Sequence, residues 1–263
     1  MTFLILLFFY ASVYSQNDWV EYVSIKNDGV MSVSIDLSLD LYKPNYKNLL
    51  VVGSKFSNCM KNGFPEENGL DEIFTFSDSI ALSIEKLTPN RLAGFLTYQC
   101  MAFDVFYVKD TTGLRENLNK MIKGNFKGNQ IYLDIKRDKS WKYYSDYLYP
   151  RNFSSENLID HGYLNDLVLQ GDDLQGLRKV EHWMYFKNLE KRKQFGEKIK
   201  KLKFSLESIS YDRDDQFPYH LKASRKDSIT PESIYKLTTM LRALSGSMGG
   251  VYDGWATEVR KKE

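Results

Sequence analysis

The sequence predicts an α+β protein of two βαββαβ units, the first preceded by a β-hairpin. Three observations carry this. The 263 residues leave room for about two domains of roughly 100–150 residues each. Apolar residues recur with a period of two in short runs and with helical spacing in longer ones. The order strand, helix, strand, strand, helix, strand then occurs twice along the chain. Composition is globular, at 43% hydrophobic and 27% charged, and 18 Tyr, 16 Phe and 4 Trp supply bulk for two cores.

The hairpin comes first. Trp19 to Ile25 is one strand and Met31 to Leu41 the other, joined by Asn27-Asp28-Gly29, whose Asp-Gly supplies the positive φ of a tight turn. Met31, Val33, Ile35, Leu37, Leu39 and Leu41 alternate with Ser32, Ser34, Asp36, Ser38 and Asp40, so one face is buried and one is wet. Leu49 to Phe56 is an apolar strand. Leu70, Ile73, Phe74, Ile80, Ile84 and Leu87 form the stripe of a long helix. Strands follow at Leu92 to Tyr98 and Phe103 to Val108. Leu114, Leu118, Met121 and Ile122 mark a shorter helix closed by Gly124, and Ile131 to Ile135 is the last strand. An aromatic segment, Trp141, Tyr143, Tyr144, Tyr147, Tyr149 and Pro150, is expected to fold back on this unit.

The second half repeats the order. The break falls near Arg151 to Ser155, where Ser154 or Ser155 caps a connecting helix that buries Leu158, Leu164, Leu167 and Val168. Leu177 to Phe186 is a strand. Asn188 caps a helix carrying Leu189, Phe195, Ile199 and Leu202. Strands follow at Phe204 to Ile209 and Tyr219 to Ala223. Thr230-Pro231-Glu232 opens a helix with Ile234, Leu237, Leu241 and Leu244 as its stripe, Thr as cap and Pro at the first helical position. Gly249-Gly250 ends it, and Val251 to Val259 is a strand. Each unit is a ferredoxin-like sandwich, a four-stranded antiparallel sheet with two helices on one face. Its first and last strands are expected to be central neighbours, so 177–186 pairs antiparallel with 251–259.

Met1 to Ser15 carries no charged side chain and contains an unbroken apolar run, Phe3 to Tyr10. The run is too short to cross a bilayer core of about 30 Å. With small Val13 and Ser15 before Gln16 it reads as a signal peptide, residues 1–15. The domains then divide as 16–152 and 153–263. This predicts an exported, periplasmic or extracellular protein with no transmembrane segment in the mature chain; a buried N-terminal strand and a cytoplasmic protein is the alternative. Cys59 and Cys100 fall near strand ends, so a disulfide between them is geometrically open in an oxidising compartment, with free buried thiols the alternative. A net charge of +2 argues against a protein built mainly to hold nucleic acid. The lysines between Lys187 and Lys203 fall on a helix and read as a solvated face.

Two segments concentrate chemistry. One runs through Gly171-Asp172-Asp173, Arg178, Glu181-His182-Trp183 and Tyr185-Phe186; the other is Tyr252-Asp253-Gly254-Trp255. Pairing of the flanking strands would set His182 opposite Trp255, about 5 Å away. The candidate surface is therefore Arg178, Glu181, His182, Trp183, Tyr185, Tyr252, Asp253 and Trp255. His182 could act there as acid, base or ligand; the preferred reading is a satisfied core histidine with packing tryptophans. Val180, Met184 and Phe186 should face the helices and Glu181, Trp183 and Tyr185 the open side. His161, His182 and His220 lack zinc-site spacing, and neither a nucleophile elbow nor a phosphate-binding glycine loop is present, so no catalytic residue, metal or cofactor is assigned. Asp71, Glu72 and Glu85 read as solvated. Tyr219 to Ala223 lacks the Lys/Arg-Gly-Phe pattern of RNA-binding sheets, so nucleic acid is not favoured as a partner.

Val180-Glu181-His182, the following helix with Lys203-Phe204-Ser205-Leu206, and Val251-Tyr252-Asp253-Gly254-Trp255 resemble the ribonuclease E inhibitor B-type (RraB-like) regulators. Trp19, the Asp28-Gly29 turn, Gly63-Phe64-Pro65 with Glu67 and Leu70, and Trp141 through Pro150 resemble an uncharacterised bacterial domain family that precedes this module. The resemblance implies a ferredoxin-like second domain and no known catalysis; regulators of that family act by binding a ribonuclease, an activity not carried over to this chain. Those regulators are acidic and cytoplasmic, whereas this chain is slightly basic and begins with an export-like segment. The leading expectation is a binding protein of the cell envelope with an unknown protein partner. A regulator of RNA-processing machinery comes second, and a hydrolase using His182 with Glu181 or Asp253 third.

Overall fold

The computed structural model describes residues 19–27, 29–42, 45–150 and 154–261. The expected signal segment and Asp28 of the first turn lie outside these residues. So does most of the expected break, at residues 151–153. Two antiparallel sheets form, one of six strands and one of four.

The first sheet holds β1 (Trp19–Lys26), β2 (Gly29–Asp36), β3 (Asn48–Lys55), β4 (Asn90–Tyr98), β5 (Met101–Val108) and β6 (Ile131–Arg137) in the order β1-β2-β4-β5-β3-β6. Its last four strands have the ferredoxin-like order, and the hairpin extends it beyond β4. Among the described residues of the hairpin turn, Asn27 has a positive φ, at 47°. Gly29 meets a different demand: a Cβ there would lie 2.9 Å from the Tyr98 ring. The second hairpin strand stops at Asp36 rather than running to Leu41. The Asp36 carboxylate accepts from the Ser38 amide and hydroxyl, which turns the chain into a 3-10 helix, Leu37–Tyr42. The alternation read there as strand still buries Leu39.

Both faces of this sheet are covered. Helices α1 (Glu67–Leu87) and α2 (Leu114–Asn125) bury Phe76, Ile80, Ile84, Leu118 and Ile122 against Leu50, Val52, Phe106 and Val108. Leu87 is exposed, and Gly124 lies inside the last turn of α2, which Phe126 ends. On the other face lies the aromatic segment, folded back. Trp141 stacks on Tyr107 with ring centroids 3.7 Å apart and donates through Nε1 to the Tyr46 carbonyl. A π-helical turn, Tyr144–Leu148, buries Tyr144 and Leu148 beside Val33, Leu49, Val51 and Val105. Tyr147 and Tyr149 stay exposed. A disulfide joins Cys59 to Cys100 with Cα atoms 5.7 Å apart, tying the loop before α1 to the β4–β5 turn. Glu72 fastens the same loop, accepting from the Ser57 amide and the Asn58 side chain, so it is a loop anchor and not merely solvated.

The second sheet contains β7 (Leu177–Phe186), β8 (Ser205–Tyr211), β9 (Tyr219–Ser228) and β10 (Gly250–Thr257), ordered β10-β7-β9-β8. This is the ferredoxin-like order. β7 and β10 are antiparallel neighbours, but β10 is an edge strand; the central pair is β7 and β9. Helices α4 (Leu189–Lys201) and α5 (Pro231–Ser247) cover one face, burying Phe195, Ile199, Leu237 and Leu241 on Met184, Phe186 and Leu221. Asn188 caps α4 through two backbone amides.

The connecting helix α3 (Ser155–Leu169), capped by Ser154, lies beside α5 and against β1. Leu164, Leu167 and Val168 pack with Val23, Val30 and Phe64 of the first domain and with Val180, Ile234 and Trp255 of the second. Asn62 donates from Nδ2 to the carbonyls of Val168 and Asp172. The domains therefore meet on the helix side of the second sheet.

Candidate functional site

The register of the second sheet divides the candidate residues. β7 has side chains alternating between faces, and its buried positions are Arg178, Val180, His182, Met184 and Phe186. Glu181, Trp183 and Tyr185 are half-buried on the opposite, open face. β10 carries an irregularity between Tyr252 and Gly254. It leaves Asp253 on the open face, where it accepts from Tyr185 Oη at 2.9 Å, and turns Tyr252 and Trp255 toward the helices.

On the helix side, Trp255 pairs directly opposite His182. His182 is fully buried, its Nδ1 is 2.9 Å from Tyr252 Oη, and its Nε2 has no partner. Burial, helped by the nearby Arg225 charge, pushes its pKa down to about 3. The imidazole is neutral at physiological pH and remote from both carboxylates named with it, Glu181 and Asp253 on the open face. The proposed His182–carboxylate pairing for a hydrolase is therefore not formed. Arg178 is likewise structural. It makes a two-pronged pair with buried Asp172 and donates to the Gln175 and Glu258 carbonyls, fixing the loop before β7 to the chain after β10.

A buried polar cluster lies under α3 that the hydrophobic pattern did not reveal. Asp160, fully buried, accepts from Thr238 Oγ1 at 2.6 Å, Trp255 Nε1 at 2.9 Å and both terminal nitrogens of Arg242 at 3.2 Å. Arg242 lies over the Tyr252 ring, so the chain of contacts runs from Asp160 to His182. Next to it, His161 hydrogen-bonds Tyr235 and meets Tyr22 of the first domain edge-on; burial holds its pKa down at about 4. Every polar member is satisfied except His182 Nε2, which marks this cluster as a scaffold joining α3, α5 and β10.

The open face is different in kind. Across β7 and β9, Glu181 is opposite Ser224, Trp183 opposite Lys222, and Tyr185 opposite His220. Lys222 Nζ lies 2.8 Å from Glu181 and 4.9 Å over the Trp183 ring. Lys179 bridges Glu181 at 3.2 Å and Glu207 at 3.1 Å. The Lys222 hydrogen bond lowers the Glu181 pKa, and the Ser224 hydrogen bond lowers that of Glu207. Tyr185 packs on His220 at 4.5 Å, and partial burial together with Asp253 raises its phenol pKa to about 12. His220 Nε2 is 3.0 Å from Asp215. The result is an open face on which Trp183, under Lys222, and Tyr185, hydrogen-bonded to Asp253, stand beside the ion pairs of Lys179, Lys222, Glu181 and Glu207. Among the described residues, no three His, Cys, Asp or Glu side chains gather to hold a metal. No helix there is long and apolar enough to cross a membrane.

Residues 17–149, just over half of the chain, match the family of unknown function DUF695. The chain belongs to that family. Residues 159–257 match a second family, regulator of ribonuclease activity B, so an RraB domain follows the DUF695 domain. Its span runs from α3 to the end of β10 and contains both the buried cluster and the open face. No curated protein matches the chain. Among solved structures, a provisionally assigned glycine cleavage system transcriptional repressor aligns at 10% identity and a TM-score of 0.24, over 81% of this chain and 98% of its own. A protein of unknown function from Galdieria sulphuraria aligns at 9% identity and 0.23, over 81% and 99%.

Proposed function

We propose that this chain is a regulator that works by binding a protein through the open face of its RraB domain, and that the partner is a ribonuclease. The family description of residues 159–257 supplies the partner class. The observation that carries the surface is the division of β7: every fully buried position serves the core, while Glu181, Trp183 and Tyr185 stand half-exposed on the side away from α3, α4 and α5. Aromatic side chains pinned by neighbours lose little entropy on docking and suit a protein contact. The buried neutral His182 supports a binding role over an acid–base one. The test titrates ribonuclease E with the full chain and follows RNA cleavage. Inhibition is expected, and the pair Trp183→Ala with Lys222→Glu should weaken it at least tenfold without lowering the melting temperature by more than a few degrees. Full inhibition by that variant contradicts the surface; no effect of the wild-type chain contradicts the partner.

The Cys59–Cys100 disulfide favours a second reading, an exported binding protein of the cell envelope, because such bonds persist in oxidising compartments. The same face would then meet an envelope protein. Mass spectrometry of the native N-terminus separates the two: a mature chain starting at Gln16 supports export, and one retaining residues 1–15 contradicts it.

A further inference from the structure

The stretch from Lys187 to Lys203 holds seven lysines and one arginine against two glutamates, in a chain whose net charge is only +2. The rest of the molecule is therefore net acidic, and the excess of positive charge lies on α4 and its two ends. All seven lysines are exposed. Among the described residues, Lys200 alone of the seven pairs with a carboxylate, that of Glu197. The apolar side of α4 is already committed, with Phe195 and Ile199 fully buried against the sheet. What α4 offers to solvent is charge with no amphipathic stripe to insert into a bilayer.

Two further features give this charge a shape. A groove of about 570 Å³ runs along the helix, lined by Lys191, Lys193, Lys198 and Lys201, by Glu190 and Glu197, and by Ser247 and Met248 at the end of α5. Beside the N-terminal end of α4 lies an aromatic platform, reached by Lys187 and Arg192. Tyr211, 59% exposed, packs on Tyr219 with centroids 5.1 Å apart; Arg192 lies over Tyr219, and Lys187 over Phe217. Lysines beside an exposed aromatic ring, here Tyr211, are the chemistry that holds single strands, where phosphates meet ammonium groups and an unpaired base meets a π face; Tyr219 and Phe217 are half-buried. Asp212, Asp214 and Asp215 in the β8–β9 turn bound the track at that end.

We propose that α4, with Tyr211 and Tyr219, binds single-stranded nucleic acid along its phosphate backbone. This surface lies on the helix side of the domain and does not depend on the open face or on a ribonuclease partner. The lysines are solvated, as the sequence indicates; the groove beside them and the exposed Tyr211 are what the sequence alone did not show.

The test measures fluorescence anisotropy of labelled twelve-nucleotide oligouridylate and oligothymidylate with the full chain at 50 to 300 mM salt. With about four phosphates neutralised, log affinity should fall with log salt at a slope of about −3. Charge reversal of Lys191, Lys193, Lys198 and Lys201 to Glu, all exposed, should weaken binding at least tenfold, and Tyr211→Ala should weaken it about fivefold or more with the slope kept. Reversal of Arg115, Lys120 and Lys123 on α2 should change it less than twofold. Preference between the RNA and DNA strands identifies the natural source. No binding at 50 mM salt overturns the proposal. So does equal loss from the α2 variant, or binding to phosphatidylserine vesicles with none to either oligonucleotide.

Discussion

Glu181 and His182 are neighbours in the chain and strangers in the fold. Glu181 titrates in a solvated ion-pair network, its pKa lowered by Lys222 and then Lys179, while His182 is sealed under the helices. His182 and His161 have folded pKa values near 3 and 4, below the unfolded value of about 6.5. The unfolded chain therefore binds protons first as pH falls. Their contribution is complete above pH 6.5 and declines below it, at up to about 1.4 kcal/mol per pH unit for each histidine. Urea unfolding at pH 7 and pH 5 should show this loss, and His182→Gln should reduce its slope. Asp104 acts in the opposite sense. It is buried on β5 toward α1, and desolvation lifts its pKa to about 7, with Asp78 adding and Ser77 opposing. Stability from this group is complete below about pH 4 and is lost as pH rises through 7. Asp104→Asn should accordingly flatten stability between pH 5 and 8, and a steeper decline in that variant would contradict the assignment. Asp160 should be the most sensitive single position in the second domain. Asp160→Ala leaves Arg242, Thr238 and the Trp255 indole without their acceptor, and breaking a buried pair of this kind costs about 3–5 kcal/mol; chemical denaturation with Trp fluorescence measures it.

At the scale of elements, periodicity made the sheets readable and left two things hidden. Every strand and helix of both βαββαβ units appears in the expected order, because nearly all bury apolar residues of their own; the exposed edge strand β8 is the exception. The β2 strand ended five residues early because Asp36 captures Ser38, a side-chain turn that an alternating pattern cannot signal. α3 was legible from its cap and from Leu164, Leu167 and Val168, which are buried as expected, but its buried polar residues were not. Placed between β1 and α5, it turns Asn157, Asp160 and His161 inward along the same stripe as Leu164 and Val168, so polar residues occupy buried positions that an apolar pattern does not signal. The split of the Glu-His-Trp and Tyr-Asp-Gly-Trp segments was partly legible. Period two already put Glu181, Trp183 and Tyr185 together on the open face; the irregularity that sends Asp253 to them and Tyr252 and Trp255 the other way was not in the pattern. The disulfide also acts at this scale. It closes a loop across 41 positions, and reduction should lower stability by about 3–4 kcal/mol. Thermal melts with and without dithiothreitol check this, with Cys59→Ser/Cys100→Ser expected to match the reduced protein.

For the whole molecule, the two domains share a core. Val23, Val30 and Phe64 pack in one cluster with Leu164, Leu167, Val168 and Trp255, and Asn62 caps the end of α3. The DUF695 domain thus braces the helix side of the RraB domain and leaves the sheet face to solvent. The most direct measurement of whether that face is the working surface is oxidative footprinting of the full chain with and without ribonuclease E. Labelling of Trp183 and Tyr185 should slow severalfold in the complex, while the exposed Tyr132 and Tyr147 of the first domain keep their rates. Unchanged labelling of Trp183 and Tyr185 in a saturated complex, or protection at Tyr132 and Tyr147 instead, would contradict it.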